Sequence, residues 1–125
     1  MGKKYLIDTN IIIDFLENRL PLNAKLFVAE VIDDEPNISI INKIELLGFS
    51  VVTPEIIEFT DSTNIINLTE DVANKTIDLR KKRKIKLPDA IIAATVLVYD
   101  MTLVSRNSKD FDEIDGLEFI NPHEM

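Results

Sequence analysis

The sequence predicts an α/β fold, a three-layer α/β/α sandwich around a mostly parallel central sheet. Three observations carry that expectation. Short apolar runs of strand length alternate with longer segments of helical period along the chain. The 125 residues amount to one domain's worth, enough to bury a core of its own. No linker, repeat or low-complexity tract divides them, so a single domain over 1–125 is expected.

Residues 3–8 read as a short strand ending at Asp8, and Asn10 is a suitable cap for a helix over about 11–17. Pro21 opens a second helix to about residue 33, with Leu22, Leu26, Ala29 and Ile32 on one face. The acidic stretch 33–37 is a turn, 38–40 a second strand, and Asn42 a plausible cap for a helix carrying Glu45. Residues 48–53 break the pattern before Pro54 starts a short helix to about 62. A third strand over 65–68 leads to Thr69, which caps a helix to about Lys82 with Asp71 and Asp78 outside. Pro88 opens the helix 89–99, apolar nearly all round and therefore expected to be buried. Strands over 102–104 and 117–120 complete the series.

Composition excludes several classes. The chain has no cysteine, hence no disulfide, thiolate metal site or cysteine nucleophile, which fits a reducing cytosol. No apolar run approaches the length of a membrane span, and the first residues do not read as a signal peptide, so a cytoplasmic protein is expected. Gly2 invites a myristoylation reading, but Leu6 stands where Ser or Thr is wanted, and a cloning remnant explains Gly2 equally well. The three glycines form no phosphate-cradling loop. His123, the only histidine, lies in the acidic tail, where an exposed residue is expected; zinc is disfavoured.

Net charge is −8, unusual for a protein that wraps nucleic acid. Acidity alone is explained by solubility. Its distribution says more, because ligands of open parallel sheets bind beyond the carboxyl ends of the strands. There lie Asp8-Thr9-Asn10, then Asn42 with Glu45, and then Ser105-Arg106-Asn107 with Asp110. Asp89 opens the buried helix that feeds the fourth strand. Taken singly, each acid has a plain structural reading: Asp89 complements a helix dipole, Asp8 caps a turn, and Glu45 faces solvent. Taken together, they repel one another and raise each other's pKa unless a cation is present. Mg²⁺ or Mn²⁺ suits an all-oxygen set, and such a centre can activate water for in-line displacement at phosphorus.

One run opposes the overall charge: Arg80, Lys81, Lys82, Arg83 and Lys84, followed by Lys86. It reads either as cations placed favourably at a helix C-terminus or as an RNA-binding patch tracking phosphates beside the acidic site.

Four segments carry a family resemblance: Leu6-Ile7-Asp8-Thr9-Asn10 with Asp14 beyond it; Ile40 to Glu45; Leu87-Pro88-Asp89-Ala90-Ile91-Ile92-Ala93-Ala94; and Leu103-Val104-Ser105-Arg106-Asn107-Ser108-Lys109-Asp110-Phe111. With these the chain resembles the PIN-domain ribonucleases, most closely the small VapC-type toxins of prokaryotic toxin–antitoxin pairs. The resemblance covers essentially the whole chain in order and is weakest over 48–64. It implies that Asp8, Glu45 and Asp89 are the catalytic, metal-binding acids. The family's fourth acid falls either at Asn107 or three residues later at Asp110. Here the former is an amide, so Asp110 is taken as the acid and Asn107 as a weaker ligand or water-positioning group. Asn10 and Ser105 match positions that orient the carboxylates. The implied reaction is attack of a metal-activated water on an RNA phosphodiester, leaving 5′-phosphate and 3′-hydroxyl ends. The implied partners are a small antitoxin and a second copy of the chain in a homodimer.

Two other classes compete. A haloacid-dehalogenase-type phosphotransferase needs an Asp where this chain has Asn10. A PIN-like domain that binds RNA or protein without cutting is kept open by Asn107, as is a PIN nuclease of RNA processing without an antitoxin.

Overall fold

The structure is a computed structural model that describes residues 3–125; Gly2, and with it any N-terminal modification, lies outside the described residues. The chain runs β1 (Tyr5–Ile7), α1 (Thr9–Leu16), α2 (Leu22–Asp34), β2 (Asn37–Ser39), α3 (Ile40–Leu47), α4 (Pro54–Ser62), β3 (Asn64–Ile66), α5 (Glu70–Lys82), α6 (Leu87–Val98), β4 (Thr102–Val104), α7 (Ser108–Phe111) and β5 (Glu118–Ile120), ending in a 3₁₀ turn, Pro122–Glu124.

The strands form one sheet in the order β3-β2-β1-β4-β5, and every adjacent pair is parallel. The mostly parallel sheet expected from sequence is thus wholly parallel among the described residues. Helices cover both faces, and the strand period decides which residue goes where. Leu6 and Leu103 join one core with Val72, Leu79, Ile92, Val96 and Phe111, from α5, α6 and α7. Their neighbours Ile7 and Val104 turn to the opposite core with Ile11, Val28, Leu46 and Phe59, from α1 to α4. That is the three-layer sandwich. Because β1 is central, its carboxyl end lies at the middle of the sheet edge, where the chain reverses direction across the strand order.

α6 is the buried helix the sequence predicts, with Ala90 through Val96 out of solvent. Four local expectations fail for physical reasons. Asn10 does not cap α1: Asp8 does, accepting from the Thr9 amide at 2.9 Å, so the helix starts earlier than expected. Asn42 does not cap α3 either. Ser39 holds that place and Asn42 closes the capping box three residues on, accepting from the Ser39 amide at 2.8 Å. In α2 the buried stripe is Ala24, Val28 and Val31, while Leu22 and Leu26 are exposed; this helix carries two apolar stripes, and periodicity cannot say which one meets the sheet. The short helix α7, which bears Asp110, has no distinct sequence pattern and is not among the elements expected from sequence.

Candidate active site

The site grows from the end of β1. Asp8 follows the central strand and is 5% exposed. A buried carboxylate is costly unless hydrogen bonds satisfy it, and here four groups do so. Oδ1 accepts from the Thr9 amide at 2.9 Å and from Asn42 Nδ2 at 3.2 Å. Oδ2 accepts from Ser105 Oγ at 2.8 Å and from Asn10 Nδ2 at 3.3 Å. Burial pushes the Asp8 carboxyl above the usual carboxylate range, and the bonds from Ser105 and Thr9 pull against it.

Glu45 reaches the cluster from α3. Its Oε1 accepts from Thr9 Oγ1 at 2.7 Å, and Thr9 Oγ1 in turn accepts from Asn42 Nδ2 at 3.0 Å. Asp89 enters from the first turn of α6, beside Pro88. Its carboxyl is pushed up to about 6, first by burial, then by the negative charges of Asp110, Asp8 and Glu45. A group raised by three neighbouring carboxylates shows that the four acids, spread from 8 to 110 in sequence, share one place.

Asp110 and Asn107 have separate positions in the cluster. Asp110 lies within hydrogen-bonding reach of Asp89. Asn107 holds Asp110, donating from Nδ2 to Oδ2 at 2.7 Å, while its own amide donates to Ser105 Oγ at 3.1 Å. Asn107 lines the open cleft of about 390 Å³ with Asp8, Glu45 and Asp89, and Asp110 is not among its lining residues.

Asn10 and Ser105 bond each other at 3.4 Å as well as Asp8. Thr9 and Asn42 belong to the network too; the sequence places both in the polar clusters beyond the strands but gives them no role at the site. A sequence signal exists for Asn42: it precedes Glu45 by three residues, so the two share a helix face. Asp14 is a third. It is buried on α1 and held by Arg106 and by His123 Nε2 at 2.8 Å. His123 is exposed, as expected of the tail, but the C-terminal turn brings it back onto α1's acid.

The basic run sits elsewhere. Lys82, Arg83 and Lys84 line a second cleft of about 400 Å³, shared with Asp78, Glu113 and Asp115. None of Arg80, Lys81, Lys82, Arg83, Lys84 or Lys86 lines the acidic cleft.

Fold and site together define a parallel α/β domain with a carboxylate cluster at the carboxyl edge of its sheet. The PIN domain family model matches residues 5–117, and the chain belongs to the PIN domain family. It is similar to a chain of a toxin–antitoxin complex from Klebsiella pneumoniae, at 35% identity over 97% of this chain and 99% of that one, with a TM-score of 0.79. It shares its fold with a chain of VapBC2 from Rickettsia felis bound to a promoter DNA fragment (24% identity, 94% and 97% covered, TM-score 0.77). The fold is also that of a chain of DNA-bound VapBC from Salmonella typhimurium (20% identity, 97% and 99% covered, TM-score 0.79). No curated protein matches the chain.

Proposed function

We propose that this chain is a metal-dependent endoribonuclease and the toxin of a type II toxin–antitoxin pair. The observation that carries the proposal is the gathering of Asp8, Glu45, Asp89 and Asp110, with the Asp89 carboxyl pushed up to about 6 by burial and its acidic neighbours. No cation among the described residues neutralises Asp8 or Asp89 by an ion pair. A cluster of like charges held together by neutral donors is costly in itself and suits the binding of a dication.

The donor set suits Mg²⁺ or Mn²⁺: carboxylate oxygens only, at the mouth of an open cleft. Among the described residues no three carboxylates close a cage as they stand. Asp8 and Asp89 would hold it, with Glu45 and Asp110 beside them. When bound, it would lower the pKa of a water and neutralise charge developing on a phosphodiester. The chain's own groups do the rest. Ser105, Asn10 and Asn42 fix the two oxygens of Asp8, Asn107 fixes Asp110, and Thr9 fixes Glu45.

The similarity to a chain of a toxin–antitoxin complex supports an antitoxin partner. Exposed Leu22, Leu26, Ile44, Val51 and Ile57 supply apolar surface for that partner and for a second copy in a homodimer. No helix of the described residues is long and apolar enough to cross a membrane; the proposed site of action is the cytoplasm.

The test is cleavage of single-stranded RNA by the purified chain with Mg²⁺ or Mn²⁺, stopped by EDTA. RNA binding without cleavage in either metal would instead support a binding module.

A further inference from the structure

The acidic cleft contains a cation that the proposed reaction leaves unexplained. Arg106 lines the cleft with Asp8, Glu45 and Asp89. Its backbone is fixed next to the acid network, because its amide donates to Asn10 Oδ1 at 3.2 Å and the preceding residue is Ser105. Its guanidinium is clamped through one nitrogen: Nη1 donates to Asp14 Oδ1 at 3.0 Å and Oδ2 at 2.9 Å. Asp14 is a firm anchor, with its side chain 2% exposed, whereas that of Arg106 is 52% exposed. No described residue bonds Nη2 or Nε of Arg106, and neither is a buried unsatisfied atom, so both donate to solvent. The other cation of the cleft, Arg19, is engaged by Glu17.

A cleft lined with carboxylates repels a phosphate chain, and a reacting-site dication offsets that repulsion only where it sits. A neighbouring phosphate needs its own donor. Arginine suits the task because its planar fork can keep one nitrogen on a carboxylate while presenting others to a phosphate. We propose that Arg106, held by Asp14, binds a phosphate of the nucleic-acid chain adjacent to the one at the carboxylates. This inference rests on the nuclease reading. It makes Arg106 a substrate-contacting residue, Asp14 its positioning residue, and His123 a brace on Asp14 that lies off the cleft wall.

The experiment compares Arg106→Ala, Arg106→Gln and His123→Ala with wild type in cleaving a single-stranded RNA oligonucleotide in Mg²⁺. It also measures binding of that oligonucleotide to Asp89→Asn with and without Arg106→Ala or Arg106→Gln. Arg106→Ala should raise KM and Kd by roughly tenfold, the scale of a missing hydrogen bond to a charged group, with a smaller change in kcat. Arg106→Gln keeps a donor for Asp14 and removes the charge, so it serves should the alanine variant fold poorly; it should show the same KM defect. His123→Ala should lower the melting temperature and, by loosening Asp14, raise KM less than either Arg106 variant does. If Arg106→Gln leaves KM and Kd unchanged while wild type cleaves, Arg106 is only a clip between β4 and α1, and the nuclease reading stands without it. If wild type cleaves no RNA, the nuclease reading fails and takes this inference with it.

Discussion

The molecule has two charged clefts built on opposite logic. In the cleft between Lys82, Arg83, Lys84 and Asp78, Glu113, Asp115, both signs are mingled and solvent screens them. In the cleft at the end of β1, the cations Arg19 and Arg106 are engaged by Glu17 and Asp14, and the gathered acids Asp8, Glu45 and Asp110 are held by neutral donors: Ser105, Thr9, Asn10, Asn42 and Asn107. The first arrangement sets both signs along one wall, though it leaves Arg83 Nε buried without a hydrogen-bond partner among the described residues. The second is costly in itself, and the dication proposed above would relieve it. A dense run of charge in sequence is therefore a poorer guide to chemistry than a costly gathering of like charge in space.

The contrast can be broken most sharply at Asp89. Asp89→Asn removes the acid that feels all the others, and RNA cleavage should fall on the order of a thousandfold, several kcal/mol of charge stabilisation. Circular dichroism should show the fold retained; unchanged cleavage would overturn the assignment. Next in size is Asn107→Ala, which leaves Asp110 without its 2.7 Å donor. Metal affinity should drop roughly 10–100-fold, as for other groups that orient ligands, measured by calorimetric titration with Mn²⁺.

Asn42→Ala tests the neutral scaffold. It deprives Asp8, Thr9 and the Ser39 amide of buried partners and should cost about 1–3 kcal/mol in denaturant unfolding. Smaller still is the pH response of the metal-free protein. A carboxyl raised from 3.8 to about 6 on folding binds more protons in the native than in the unfolded state between those values. Stability in EDTA should therefore decrease as pH rises from about 4 to above 6. Asp89→Asn should flatten that slope, and saturating Mg²⁺ should shift it to lower pH; an identical slope in the variant would remove Asp89 as its source. The least effect on cleavage is expected from the other cleft. Replacing Arg80, Lys81 and Arg83 with Ala should weaken RNA binding and reduce its salt slope by about 0.7 for each phosphate no longer neutralised, leaving kcat intact. No change in salt slope would return the run to a helix end with well-placed cations.

Much of this architecture is legible in the sequence, and the reasons differ by element. β1, β4 and α6 announce themselves because their burial is continuous and their punctuation clear: Asp8 after the strand, Pro88 before the helix. The alternation of elements suffices for the parallel sandwich. The acids at 8 and 89 can be read from position joined to resemblance, since each stands where an element changes but has a plain structural reading when taken singly. Glu45 cannot, because an exposed helical Glu looks like any other, and only resemblance marks it. The helix caps are misjudged from sequence because Asp8 and Asn10, or Ser39 and Asn42, are equally good caps by type; tertiary bonds to Ser105 and Thr9 decide between them. The basic run borders Asp89 in sequence, where α5 runs straight towards it, whereas in space its end turns to the cleft shared with Glu113 and Asp115.

The central position of β1 has a consequence for timing. The first strand gains its second neighbour only when β4 arrives, and Asp8 meets Ser105 across 97 residues. Closing so long a loop is slow. Asp89 and Asp110 cannot join Asp8 until that closure is made. A chain still being synthesised therefore has no assembled cluster, and the activity proposed for it would stay off until nearly all of it has folded.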